Sequence, residues 1–83
     1  MTWRWEYDPS EAYVIGEAPP AFVAEVEKKA DELVRAAAAF YLEGAQYEGL
    51  GPKGDTAHVD SGFFVYLVVP RHGCVYVRQV TWI

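Results

Sequence analysis

The last third of the chain, Thr56 to Ile83, reads TAHVDSGFFVYLVVPRHGCVYVRQVTWI. Runs rich in β-branched and aromatic residues are separated by two turn signals, Asp60-Ser61-Gly62 and Arg71-His72-Gly73. That punctuation predicts a three-stranded antiparallel meander. Period-2 alternation along its central run puts Phe63, Val65, Leu67 and Val69 on one face, expected to be buried. Phe64, Tyr66 and Val68 then fall on the other, expected to be open.

Upstream of the meander the pattern changes. Thr2 to Tyr7 alternates, with Trp3, Trp5 and Tyr7 on one side and Thr2, Arg4 and Glu6 on the other, which predicts a half-buried strand. Asp8-Pro9 predicts a helix start, Asp as N-cap and Pro at the first helical position, for a short helix ending near Ile15 at Gly16. Pro19-Pro20 opens the longest element, expected from Ala21 to Leu42 with Gly44 as its stop. Phe22, Val26, Ala30, Leu33, Ala37 and Phe40 recur every three or four residues and form its buried stripe. Glu25, Lys28, Lys29, Asp31, Glu32 and Arg35 lie largely off it and read as a solvated face. Residues 45–55 read as an irregular, Gly-rich connection, with a short extra strand near Tyr47. Gly49-Leu50-Gly51-Pro52-Lys53-Gly54-Asp55 lacks the Lys-Ser/Thr pair and flanking elements of a phosphate loop and reads as a linker, leaving Lys53 as a cation at the mouth of the sheet.

Strand, two helices and three strands, with 83 residues and no space for a second core, predict one α+β domain over residues 1–83. Its architecture is two-layered: an N-terminal strand, two helices, then a three- to four-stranded antiparallel meander. The expected buried layer holds Trp3, Trp5, Tyr7, Phe22, Val26, Leu33, Phe63, Val65, Leu67, Val75 and Val77. A chain of this size buries only roughly 60% of its unfolded surface, so modest stability or support from a partner is expected.

Twelve acidic residues against seven basic ones give a net charge of −5. Phosphate-gripping domains are usually basic, so nonspecific nucleic-acid binding is disfavoured. The lone cysteine, Cys74, forms no internal disulfide and fits a reducing, cytoplasmic setting. It reads as a half-buried structural thiol. The start of the chain has acidic residues where a signal peptide needs an apolar run, and no stretch reaches membrane-spanning length, so no membrane association is expected. The two histidines have no third ligand at useful spacing, and no metal or cofactor is expected.

Thr56, His58 and Asp60 share the open face of their strand, where His58 reads either as a polar residue on a solvated strand or as a general base oriented by Asp60. On the last strand Tyr76, Arg78, Val80 and Trp82 lie opposite Val75 and Val77. With Phe64 and Tyr66 across the hairpin they make an aromatic face carrying one guanidinium. Tyr, Trp and Arg are the residues enriched at binding hot spots, so Phe64, Tyr66, Tyr76, Arg78 and Trp82 are the expected partner-binding set.

The element order, with Ser61-Gly62-Phe63-Phe64-Val65-Tyr66 followed by Val75-Tyr76-Val77, resembles the RelE/ParE toxin superfamily of type II toxin–antitoxin systems. In its RelE branch the resemblance implies ribosome-dependent cleavage of messenger RNA by basic residues on the open sheet face. The branch's two lysine positions fall near Thr56 and His58, its arginine position at Phe64, and its terminal catalytic group at or beyond Trp82 and Ile83. None of these carries the family's residue, which leaves His58 as base and Arg78 as transition-state cation for that alternative. The ParE branch lacks the nuclease set and acts by binding DNA gyrase. The resemblance therefore implies a toxin-type protein that works by protein binding, with a cognate antitoxin as partner and gyrase or the ribosome as target. A noncatalytic interaction module, self-associating as a homodimer, is the third reading.

Overall fold

In the computed structural model, which describes residues 2–41 and 53–83, strand β1 is Arg4–Tyr7 and is followed by helices α1, Glu11–Ile15, and α2, Pro20–Phe40. Strands β2, Lys53–Val59, β3, Gly62–Val69, and β4, Cys74–Trp82, complete the chain, with a 3-10 turn at Pro70–His72 between the last two. The described residues form a small α+β domain with one four-stranded sheet, in the order β1-β4-β3-β2, and one main helix. The meander is antiparallel, whereas β1 runs parallel to β4 and pairs Trp5 with Val75 and Tyr7 with Val77.

The first helix starts later than the Asp8-Pro9 signal suggests. Ser10 is its N-cap, and its side chain accepts from the Tyr13 N–H at 3.2 Å. Asp8 is already committed to the sheet: its N–H donates to the Val77 carbonyl at 3.0 Å and its carboxylate pairs with Arg78. Gly16, at φ +55°, ends the helix as expected.

Phe22, Val26, Ala30 and Ala37 line the buried stripe of α2, and Leu33 is half-buried. Phe40 departs from that stripe and is exposed. The helix stops there, and Tyr41 in its C-cap geometry takes the inner place, stacking on Trp3 at 5.5 Å between ring centroids. The expected end near Leu42, the stop at Gly44, the extra strand near Tyr47 and most of the Gly-rich connection lie outside the described residues. The described part of that connection is strand, since β2 already begins at Lys53.

The acidic residues of α2 are not simply solvated. Asp31 accepts from Trp5 Nε1 at 2.8 Å, Glu27 from the Tyr7 hydroxyl at 3.1 Å, and Glu25 from the Ser61 N–H and Oγ at 2.9 and 3.1 Å. The i,i+4 repulsion between Glu27 and Asp31 is thus offset by bonds to the polar atoms of half-buried aromatics.

The inward face of the sheet carries Trp5 and Tyr7 on β1, Val75, Val77 and Val80 on β4, and Ala57 and Val59 on β2. From β3 it takes Phe64, Tyr66 and Val68, the opposite set from the one alternation assigned to the core. Phe64 is fully buried. Phe63, Val65 and Leu67 consequently lie on the open face.

Tyr7 provides a test of the β1–α2 contact. Burial, with the Glu27 hydrogen bond and charge behind it, pushes the Tyr7 phenol well above its ordinary 10.0. The folded state therefore holds this proton more tightly than the unfolded state. The stabilisation is fully present below the unfolded pKa and is lost as pH climbs above about 10. Tyr7→Phe should cost about 1 kcal/mol at neutral pH. The gap between wild type and variant, followed by denaturant melts, should narrow above pH 10. A gap that stays constant to pH 11 would refute the coupling.

Candidate interaction face

The face of the sheet turned away from α2 is built by residue parity. From β3 come Phe63, Val65, Leu67 and Val69, all half-buried. Their neighbours are Thr56 and His58 on β2, Tyr76, Gln79 and Thr81 on β4, and Arg4 and Glu6 on β1. Four apolar side chains in line along β3, one of the two inner strands, make a row about 20 Å long.

A β-bulge shapes the middle of this face. Tyr66 pairs with Val77 and Val65 with Gln79, so Arg78 is an extra residue with no partner across the ladder. Such bulges bend a strand and re-aim a side chain. Arg78 and Gln79 consequently line one groove together, and the strand beyond the bulge changes parity. Val80 joins the core cluster, and Trp82 packs toward Phe22 with ring centroids 6.1 Å apart.

This overturns part of the expected binding set. Of Phe64, Tyr66, Tyr76, Arg78 and Trp82, register puts Tyr76 and Arg78 on the open face, and Tyr66 also borders the groove there. Phe64 is core, Tyr66 packs against the core on the helix side, and Trp82, although 43% exposed, is also on that side. Phe63, Val65 and Leu67 take their place. Phe64 is turned away from this face.

His58 and Arg78 do not meet. Strand β3 separates them, which puts their backbones about 10 Å apart even before register is counted. His58 pairs with Phe63, whose partner on β4 is Thr81, so Arg78 is also displaced along the strand. The His58 ring lies 5.8 Å from that of Phe63, and no hydrogen bond from Asp60 orients it. Arg78 Nε contacts Asp8 Oδ2 at 3.3 Å, with both side chains about half exposed.

At the β1 edge, Arg4 Nε donates to Glu6 at 2.7 Å, and Arg4 Nη1 to the His72 carbonyl at 3.1 Å. His72 Nδ1 and the Tyr76 hydroxyl lie 2.8 Å apart. Cys74 is fully buried rather than half-buried, and burial pushes its thiol above the ordinary range, which favours the inert protonated form. No group of His, Cys, Asp and Glu among the described residues is arranged to hold a metal ion. No helix among them is long and apolar enough to cross a membrane.

A groove of about 870 Å³ runs across the open face. Val65 and Leu67 contribute its apolar surface, Arg78 and Gln79 its polar one, and Asp8, Pro9 and Tyr13 close its far side. Tyr13 and Gln79 carry no motif that marks them in the sequence, and Asp8 is marked there only as a helix start. They come together through the β1–β4 pairing and the bulge.

No protein-family model, curated protein or solved structure matches this chain.

Proposed function

We propose that this chain is the toxin-type member of a type II toxin–antitoxin pair and acts by binding protein through the open face of its sheet. The observation that carries the binding reading is the row Phe63, Val65, Leu67 and Val69, all partly exposed on the side of the sheet away from α2. A continuous apolar surface rimmed by polar residues marks an interaction site. The toxin reading is supported by the order strand, helix, helix and three strands, and by the Gly62-Phe63-Phe64 segment that carries the resemblance. Catalysis is the weaker reading, because His58 and Arg78 lie across β3 from one another.

Induced expression in a bacterial host should arrest growth. The double substitution Val65→Glu, Leu67→Glu should lift the arrest while the purified variant keeps its cooperative melt. Ribosome-bound messenger RNA should stay intact at neutral pH, and His58→Ala should leave the arrest unchanged. Unimpaired growth on wild-type expression would remove the toxin reading, and arrest by the folded double variant would remove the face as interface. Cleavage that falls on the order of 100-fold in His58→Ala would make the protein an endoribonuclease instead.

A further inference from the structure

The groove beside Arg78 has a chemistry more specific than an apolar ridge. Its volume of about 870 Å³ falls within the roughly 300–1,000 Å³ range of ligand clefts. The guanidinium meets Asp8 Oδ2 through Nε at 3.3 Å, a distance that is long for a charge-assisted bond. Both η nitrogens are without a hydrogen-bond partner among the described residues, and so is the hydroxyl of Tyr13, which is 75% exposed. The bulge that leaves Arg78 unpaired in the ladder also sets it beside Val65 and Leu67.

We propose that this groove captures a carboxylate side chain carried on an extended, aliphatic stretch of the partner polypeptide. The inference rests on the reading that the open face binds protein, and it names the chemistry recognised there. Arg78 is the anion-binding group, taking the carboxylate end-on through its two η nitrogens, the geometry that suits a planar fork. Val65 and Leu67 receive the flanking aliphatic side chain, and the ring of Tyr13 forms a wall. A partner cation is the poorer fit, because to reach Asp8 it must come up beside the guanidinium already paired there. Asp8 is thus an internal competitor: it holds the guanidinium in the groove and takes part of its binding capacity.

The test uses the full chain and capped hexapeptides of alternating leucine and aspartate, leucine and asparagine, or leucine and lysine, followed by NMR at the Arg78 Nε–H and the methyl groups of Val65 and Leu67. The aspartate peptide should shift all three sites, and the asparagine peptide should bind about tenfold more weakly, the loss expected for a charge-assisted hydrogen bond. Arg78→Gln should lose that preference, while Asp8→Asn should tighten the aspartate peptide several-fold. Equal binding of aspartate and asparagine peptides, a preference for lysine, weakening by Asp8→Asn, or no binding of any peptide would each overturn the proposal. Should the peptides fail while Val65→Glu, Leu67→Glu still lifts growth arrest, the face reading stands and the carboxylate inference alone falls. If neither responds, both fall.

Discussion

Replacing Gly62 with alanine should destabilise the domain by about 3 kcal/mol, at the upper end of overpacking costs. A β-carbon at this position would lie 2.1 Å from the Thr81 carbonyl oxygen and 2.9 Å from both Trp82 Cα and Phe22 Cε1. Two of those atoms are backbone and have no rotamer into which to escape. Relief requires β4 to move away from β3 where Gly62 pairs with Trp82, and where the Ile83 N–H donates to the Ser61 carbonyl at 2.8 Å. A small domain has only some 5–15 kcal/mol to lose, so this one methyl group is a large fraction of its stability. Gly54→Ala is the control, since its added carbon would meet only Tyr66 O at 3.5 Å and Leu67 Cδ1 at 3.7 Å. That variant should fall within about 1 kcal/mol of wild type, on either side, because alanine suits a strand better than glycine. Urea unfolding of the pair measures the contrast. A Gly62→Ala midpoint indistinguishable from wild type would mean that the β3–β4 approach is looser than described.

Much of the architecture was legible because local signals were strong and mutually consistent. The Trp3-Trp5-Tyr7 alternation, the α2 stripe from Phe22 to Ala37 and the two meander turns all point to one helical layer over one sheet. Strand β3 was not legible by alternation, and the reason is physical. Residues Phe63 to Val69 are apolar at every position, so a period-2 pattern shows two faces without showing which is wet. A usable signal lay next door. Ala57 and Val59 face inward, and a two-residue turn at Asp60-Ser61 pairs Val59 with Gly62, and hence Ala57 with Phe64. Register carried across the hairpin puts Phe64 inside.

The parity of β4 was legible only as far as Val77. A single inserted residue at Arg78 reverses every later side chain, and no nearby glycine marks it. Val80 and Trp82 therefore ended on the helix side, and Phe63, Val65, Leu67 and Tyr76 make up the open face instead of the expected aromatic set. The groove was beyond sequence reasoning for a related reason. Asp8 and Tyr13 reach it only because β1 runs parallel to β4 and α1 begins at the end of that pairing. The polar ends of Trp5 and Tyr7 were half legible: buried indole and phenol groups need acceptors, but only the packing of α2 shows that Asp31 and Glu27 supply them.

Adjacent phenylalanines should behave in opposite ways, and the contrast tests the fold and the interface together. Phe64 is fully buried among Phe22, Val26, Ala57 and Val77, so Phe64→Ala should cost about 4 kcal/mol through lost transfer energy and a cavity. Phe63 is half-buried on the other side of the same strand, against the His58 ring and opposite Thr81. Phe63→Ala leaves a gap that water can enter, so its stability cost should stay below about 1.5 kcal/mol. If the open face is the interface, this milder variant is the one that should weaken partner association, by about 2 kcal/mol as hot-spot truncations do. Chemical unfolding of both variants supplies the stability half, and titration against an isolated partner supplies the other. Equal destabilisation would show that β3 has been placed in the wrong phase. A stable Phe63→Ala variant that binds like wild type would leave the strand assignment intact and remove Phe63 from the proposed interface.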